Sequence, residues 1–526
     1  MKNKFTHKVV LLTSMILGVI ACTDLEEEVL DGVLINPSAS SGSSASATDL
    51  LLNAKKSFYN VAQGQERFLT MGEHPTDALA GPTRGGDWDD NSKWRQMHTM
   101  TWDAVNPFVI SSYNDYLTGV YNTDLVLAAS PSASEENEAL FYKAYFYYHI
   151  LDKWGRVPYR TLGSSNLDNP EVYSGAEATA LAIGWLEGML SALPEKTSGS
   201  DPSIITSAAA NFLLAKFYLN KAVFDSAEKS ESYTFDAADM NKVIVHAEAV
   251  IGSSPLQTTS GSSIADHAYW SLFGSDNAEV ADELVLTCKN QRGIGFQGNV
   301  QYAWRAGTHY NQAPIGGWNG WAVPGEFYDT FDASDERRQY SNDSIISRLG
   351  NPIGLMIGQV YEPGGVEKVL DRNGKDLVFS KELPLVTTGD AIESAGVRPV
   401  KYIPDFENYG DAENDGIVFR SADAYLMIAE AILRGGSAVS MSAQEALDAV
   451  RMRAGLASQP ASLDLVYDER GRELWFEGWR REDMIRWGTL LSPRQLKPGQ
   501  TDAAYLLYPF PADALLNPNI TQNPGY

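Results

Sequence analysis

The segment "YDERGRELWFEGWRREDMIRWGTL", residues 467–490, is dense in carboxylates and guanidiniums. Glu473, Glu477, Arg480, Arg481 and Asp483 fall three or four residues apart, the separations at which side chains of one helix meet. Paired carboxylates can act as the acid and base of a hydrolase. Here every acid has an arginine neighbour, which favours a ladder of ion pairs instead. The reading is one charged amphipathic helix with Leu474, Trp475, Ile485 and Trp487 turned inward. A second acidic run, "DAENDGIVFRSA", begins like a calcium loop at Asp411, Glu413, Asp415 and Gly416. Its twelfth position is Ala422, which cannot supply the bidentate carboxylate, so an acidic turn is the simpler reading. The seven histidines show no ligand spacing, and no Ser/His/Asp set or phosphate loop stands out. No catalytic residue, metal or cofactor is expected.

The elements that would position any site are mainly helical. "ALFYKAYFYYHIL" (139–151), "AAANFLLAKFYL" (208–219) and "MNKVIVHAEAVI" (240–251) carry apolar residues at helical spacing. "SADAYLMIAEAIL" (421–433) is stopped by Gly435 and Gly436, and Ser442 with Glu445 forms the capping box of the next helix. Small residues such as Ala144, Ala208, Ala215, Ala429 and Ala431 recur where helices must approach closely. Antiparallel pairs of this kind look like tetratricopeptide hairpins, although the full repeat consensus is absent. Residues 253–345 and 350–420 change character, rich in Gly, Pro, Asn, Asp and aromatics, with short strand-like runs "ELVLTCK" and "KDLVFSK". Loops of that length are uncommon unless functional. The fold expectation is mainly α: a tetratricopeptide-like helical scaffold with large irregular insertions.

The first residues are an address. Lys2, Lys4 and Lys8 precede an apolar run from Val9 to Ala21, too short to span a bilayer. The run ends in Val19-Ile20-Ala21-Cys22, which looks like the lipobox of bacterial lipoproteins, implying cleavage before Cys22 and its lipidation. The chain is expected to divide into a signal peptide (1–21), a lipidated, acidic and flexible tether (22–48), and one domain (49–526). Within that domain the helical hairpins are placed at about 110–252 and 419–456, and the binding loops at about 72–108 and 253–420. The formal net charge of −26, with three lysines lost alongside the signal, argues against nucleic acid and other polyanions. With Cys22 lipidated, Cys288 has no disulfide partner, so the core alone holds the fold.

"RELWFEGWRREDMIRWG" resembles the signature of the SusD/RagB-like family, glycan-binding lipoproteins of Bacteroidetes outer membranes. "GEHPTDALAGPTRGGDWDDNSKW" (72–94), "YKAYFYYHILDKWGRVPY" (142–159), "FDASDERR" (331–338), "FRSADAYLMIAEAIL" (419–433), "LDAVRMRAGL" (447–456) and the ending "YPFPADALLNPNITQNPGY" are similar to further blocks of that family. "CTDLEEE" resembles the acidic export signal of its surface lipoproteins. The resemblance implies a non-catalytic, cell-surface lipoprotein of the outer membrane. Such a protein binds oligo- or polysaccharide and works as a lid on a SusC-like TonB-dependent transporter. Its glycan site would be a shallow aromatic platform on irregular loops. A RagB-like peptide-capture role is the alternative, and a surface glycosidase a more distant one.

A pyranose lies with its C–H face on an aromatic ring while polar groups fix its hydroxyls. The useful rings therefore sit in polar, glycine-rich loops away from helical periods. One cluster, "TRGGDWDDNSKW", holds Trp88 and Trp94 with Arg84, Asp87, Asp89 and Asn91, and Asp77 lies just upstream. The other, "QYAWRAGTHYNQAPIGGWNGW", holds Tyr302, Trp304, Tyr310, Trp318, Trp321 and Asn319. Trp154, Trp475, Trp479 and Trp487 belong to helical or family-core motifs and read as structural. Several stacking tryptophans on an acidic chain suit a neutral glycan, such as a β-glucan of the laminarin type or a fructan.

Overall fold

The computed structural model describes residues 45–165, 167–293 and 299–526. The signal, Cys22 and most of the expected tether lie outside the described residues.

Eleven helical segments carry the argument. They are α1 (Ala47–Ala62), α2 (Lys93–Thr99), α3 (Pro107–Ala128), α4 (Ala133–Trp154), α5 (Gly175–Met189) and α6 (Ser207–Phe224). They continue as α7 (Ala237–Ser253), α8 (Ser421–Leu433), α9 (Ala443–Arg453), α10 (Leu463–Glu473) and α11 (Arg480–Arg486). Their ends are chemically specified. Ser132, Ser174 and Ser442 close reciprocal capping boxes with Glu135, Glu177 and Glu445, satisfying backbone N–H groups that a helix start leaves bare. Each of α3 to α7 packs on the next, and α8 packs on α7 although about 170 residues of chain separate them. The insertion between α7 and α8 thus leaves and re-enters the scaffold at neighbouring helices, so its length does not disturb the stack. Ala208, Ala215, Ala429 and Ala431 are all buried at these contacts, where a larger side chain would hold the backbones apart.

The insertion is mostly irregular. Leu284–Cys288 pairs antiparallel with Gly416–Arg420, clasping its two ends. Ile353–Met356 lies between Arg398–Val400 and Gln339–Tyr340. Thr83–Arg84 pairs in parallel with Val386–Thr387, which ties the early loop to the insertion.

The 467–490 segment departs from the expected single helix. α10 stops at Glu473, and α11 begins at Arg480. Between them Phe476 (φ 61°) and Gly478 (φ 83°) adopt left-handed conformations that end a right-handed helix. The expected ladder among Glu473, Glu477, Arg480, Arg481 and Asp483 does not form, because the break turns these side chains to other partners, most of them buried and outside the segment. Glu473 faces Arg337 at 2.9 Å, Arg420 and Arg453. Arg486 binds Glu430 at 2.9 Å and Asp483 at 2.5 Å. Trp154, Trp475 and Trp479 are buried, as expected of structural rings, whereas Trp487, also expected to turn inward, is only half-buried.

Candidate functional site

The two aromatic clusters meet. Arg84, buried in the early loop, donates from Nε to the Gly320 carbonyl at 2.9 Å and from Nη2 to that of Ala395 at 3.0 Å. Ala80 and Ala322 exchange backbone hydrogen bonds of 2.9 Å. The indole N–H of Trp88 donates to the Trp318 carbonyl at 2.8 Å. Tyr310 donates its hydroxyl to Asp87 Oδ2 at 3.1 Å. Loops more than two hundred residues apart in sequence thus form one surface, with Trp88, Trp318 and Tyr310 half-buried on it.

Six of the expected ligand residues are instead core, out of reach of a sugar. Trp321 is fully buried between Trp94, His74 and Phe476, with ring centroids 5.6, 4.9 and 5.7 Å away. Trp94 packs on Phe108 at 4.5 Å and donates its indole N–H to Asp90 at 2.9 Å. Trp304 is buried in the turn Tyr302–Arg305, and Tyr302 is turned onto Trp321 and Phe476. Asn319 is a fastener, donating to the Ile392 carbonyl at 3.1 Å and accepting from Arg398 at 2.8 Å. Arg84 spends its donors on carbonyls, and burial pulls its pKa down to about 9. Asp77 is also committed: Arg480 grips both its oxygens at 2.8 Å, and although burial opposes ionisation, Arg480 holds the carboxyl below its ordinary pKa.

Trp318 and Trp321 diverge for a local reason. The backbone N–H of Trp318 donates to Arg305, that of Asn319 to Thr308, and those of Gly320 and Trp321 both to Ala306. Asn319 sits at φ 48°, reversing the chain between the two tryptophans, so one indole turns outward and the other inward. Gly320 is required where it stands: a Cβ there would lie 2.2 Å from the Trp88 ring. Trp88, Asp90, Asn91 and Ser92 also have positive φ, so left-handed non-glycine backbone clusters around this surface. Such conformations cost on the order of 1–3 kcal/mol each and persist only when surrounding bonds over-determine them. The cross-loop bonds above do that, leaving the rings pre-set before any ligand arrives.

Sequence reasoning missed Arg372 and Glu393. Arg372 stacks its guanidinium 4.8 Å from the Tyr310 centroid and pairs with Glu393 (2.6 Å) and Asp87 (3.3 Å). His309 meets the same Glu393 at 2.6 Å. Burial would raise the Glu393 pKa, but Arg372 and His309 hold it down to about 2. Burial and then the Asp87 carboxylate push the Tyr310 phenol up to about 12, so it remains a donor at neutral pH. Residues 371–374, "DRNG", have a turn composition and nothing else that would single out Arg372.

Behind the platform, Glu73 accepts the Gly478 N–H at 2.7 Å through Oε1, while Oε2 is buried without a partner. Burial, only partly offset by Gly478 and Arg480, lifts its pKa to about 8. Between about pH 4.5 and pH 8 the folded chain therefore keeps a proton that the unfolded chain releases. Stability falls as pH rises across that window, by up to about 1.4 kcal/mol per pH unit. Glu73→Gln is expected to flatten this slope and to stabilise the chain relative to wild type at pH 9 but not at pH 4. Denaturant titrations at both pH values measure it; an unchanged slope would mean that Glu73 is ionised in the fold.

Residues 288–501 match the model of the SusD family. The starch-binding protein SusD of Bacteroides thetaiotaomicron is 25% identical over 498 residues, covering 84% of this chain and 82% of the relative. Among solved structures, surface glycan-binding protein A from Bacteroides uniformis superposes with a TM-score of 0.67 at 18% identity, covering 91% of this chain and 98% of that one. A laminarin-binding SusD-like protein gives a TM-score of 0.67 at 20% identity, over 91% and 99%. The Bacteroides thetaiotaomicron surface glycan-binding protein A, solved with laminarihexaose, gives 0.65 at 17% identity, over 91% and 98%. No helix among the described residues is long and apolar enough to cross a membrane. The family match over residues 288–501, a relative aligned over most of its length and the shared architecture agree: the chain is similar to SusD/RagB-like proteins.

Proposed function

We propose that this chain captures a neutral oligo- or polysaccharide on the Trp88–Trp318–Tyr310 platform and passes it, uncut, to a SusC-like TonB-dependent transporter. In this reading a lipid on Cys22 holds it at the outer-membrane surface. One observation carries the proposal: two half-buried tryptophans from distant loops are joined edge to backbone on a braced surface, beside a phenol. Ring faces of that kind take the C–H side of a pyranose. The starch and laminarin named for the relatives support a neutral glucan as ligand. The acids at the platform edge are held by an arginine, an arrangement suited to gripping hydroxyls more than to moving protons.

Affinity electrophoresis through gels containing laminarin, starch, levan or pectin tests this. Retardation by at least one neutral polymer is expected, with none by pectin and no release of reducing ends from any. Retention by pectin above all others, or by no saccharide, would overturn the reading.

A further inference from the structure

We propose that Arg372 sets which saccharides the platform accepts, donating to neutral hydroxyl oxygens at its edge while the carboxylates that hold it turn anionic sugars away. This rests on the reading of the platform as a glycan site and names a residue that determines its specificity.

Arg372 sits in the turn Asp371–Gly374, which is built to hold it still. Asp371 Oδ1 accepts the backbone N–H groups of Asn373 and Lys375 at 2.8 and 2.9 Å. Asn311, next to Tyr310, donates to the Leu370 carbonyl at 2.8 Å. Lys375 pairs with Asp390 at 2.7 Å, anchoring the far side of the turn. The guanidinium reaches from this turn to lie over Tyr310, so one plane of it is spoken for by the platform ring.

A guanidinium carries five N–H donors in a rigid fork. Nε contacts both Glu393 oxygens at 3.0 Å, Nη2 donates to Glu393 Oε1 at 2.6 Å, and Nη1 to Asp87 Oδ2 at 3.3 Å. That leaves one N–H on each terminal nitrogen. The Arg372 side chain is 41% exposed, against 4% for Glu393, so the fork is gripped from beneath and open above. Two adjacent donors of fixed geometry beside a stacking ring suit a pair of neighbouring sugar hydroxyls.

The charge balance supplies the selectivity. Glu393 lies beneath, shared between Arg372 and the buried Arg84 and Arg398, while at the exposed edge the single charge of Arg372 is paired with the open carboxylate of Asp87. His309 adds no charge, because burial, despite Glu393, lowers its pKa and keeps it neutral. Lys375 is neutralised by Asp390. A uronate approaching this edge meets donors whose charge is already engaged and the exposed Asp87 carboxylate beside them, an unfavourable arrangement that discriminates against it. A neutral hydroxyl suffers no such penalty.

The experiment compares the wild-type chain with Arg372→Lys, Arg372→Ala and Asp87→Asn. Probes are laminarin, starch and levan, each native and oxidised to carboxylate at primary hydroxyls. Wild type is expected to bind its preferred native polymer at least tenfold more tightly than the oxidised form. Arg372→Ala and Arg372→Lys should each weaken binding of the native polymer about tenfold with a Tm within about 2 °C of wild type, because lysine keeps the charge but not the fork. Asp87→Asn should shrink the native-to-oxidised ratio, which a merely structural role would leave alone. Wild type retained by native polymer, with Arg372 variants and oxidation both without effect, overturns this inference and leaves the platform standing. Wild type retained by no polymer overturns both.

Discussion

Trp318→Ala is expected to lose glycan retention while keeping its fold, and Trp321→Ala to lose its fold. Two residues, Asn319 and Gly320, separate these side chains, and a scan by sequence alone would treat them as a pair. Trp318 is only partly buried on the platform, so truncation removes a stacking face and less packing than at Trp321. Its backbone, whose carbonyl receives the Trp88 indole, is untouched by the substitution. A loss of tenfold or more in affinity is expected, about 1.4 kcal/mol per decade, with a Tm change of no more than about 2 °C. The Trp321 ring is fully buried and touches Trp94, His74, Tyr302 and Phe476. Emptying that volume should cost about 3–5 kcal/mol. Trp88→Ala lies between the two, because its ring rests on Gly320 and Trp94 as well as facing outward. Affinity electrophoresis paired with thermal melts separates the outcomes. A stable Trp321→Ala with lost retention, or a melted Trp318→Ala, would reverse the assignment of outward and inward rings.

An effect on stability as large as that of Trp321→Ala is expected from Arg420→Gln. Arg420 is 1% exposed and faces Glu283 at 3.1 Å, Glu477 at 2.7 Å, and Glu473. It also donates to the Glu473 carbonyl at 2.7 Å. Removing one cation from a buried network leaves carboxylates without compensation, which costs about 3–5 kcal/mol. The network also predicts acid behaviour. Burial opposes ionisation of Glu473, but Arg453, Arg420 and Arg337 hold its pKa well below the ordinary carboxylate range. A group with a depressed folded pKa contributes stability above its unfolded pKa and loses it as pH falls toward the folded one. Acidification should therefore unfold the wild type by protonating this cluster. Urea titrations at pH 7 and pH 3 measure both effects, and an Arg420→Gln variant within about 1 kcal/mol of wild type at pH 7 would mean that the network is not a stabilising element.

The scaffold was largely legible in the chain. Apolar spacing and caps placed α4, α6, α7 and α8, and the Ser442–Glu445 box marks the start of α9 in the structure. These signals are local: a helix satisfies its own backbone, and its buried face repeats with its own period. The 467–490 segment keeps such a period across a break, because the left-handed Phe476 and Gly478 alter the path without altering the spacing of charges.

Which aromatics face solvent was decided elsewhere. In "GWNGW" each tryptophan follows a glycine and the composition around the two is alike, and an irregular loop carries no period from which to read a side. Backbone bonds to Arg305, Thr308 and Ala306 choose the side, and a left-handed Asn319 executes the choice. The pairing of Arg372 with Asp87 spans 285 residues, so no local pattern encodes it. The sequence by itself determined the helices, their caps and the presence of ring-bearing loops. Only tertiary structure decided which rings those loops show, because exposure there depends on contacts made with distant parts of the chain.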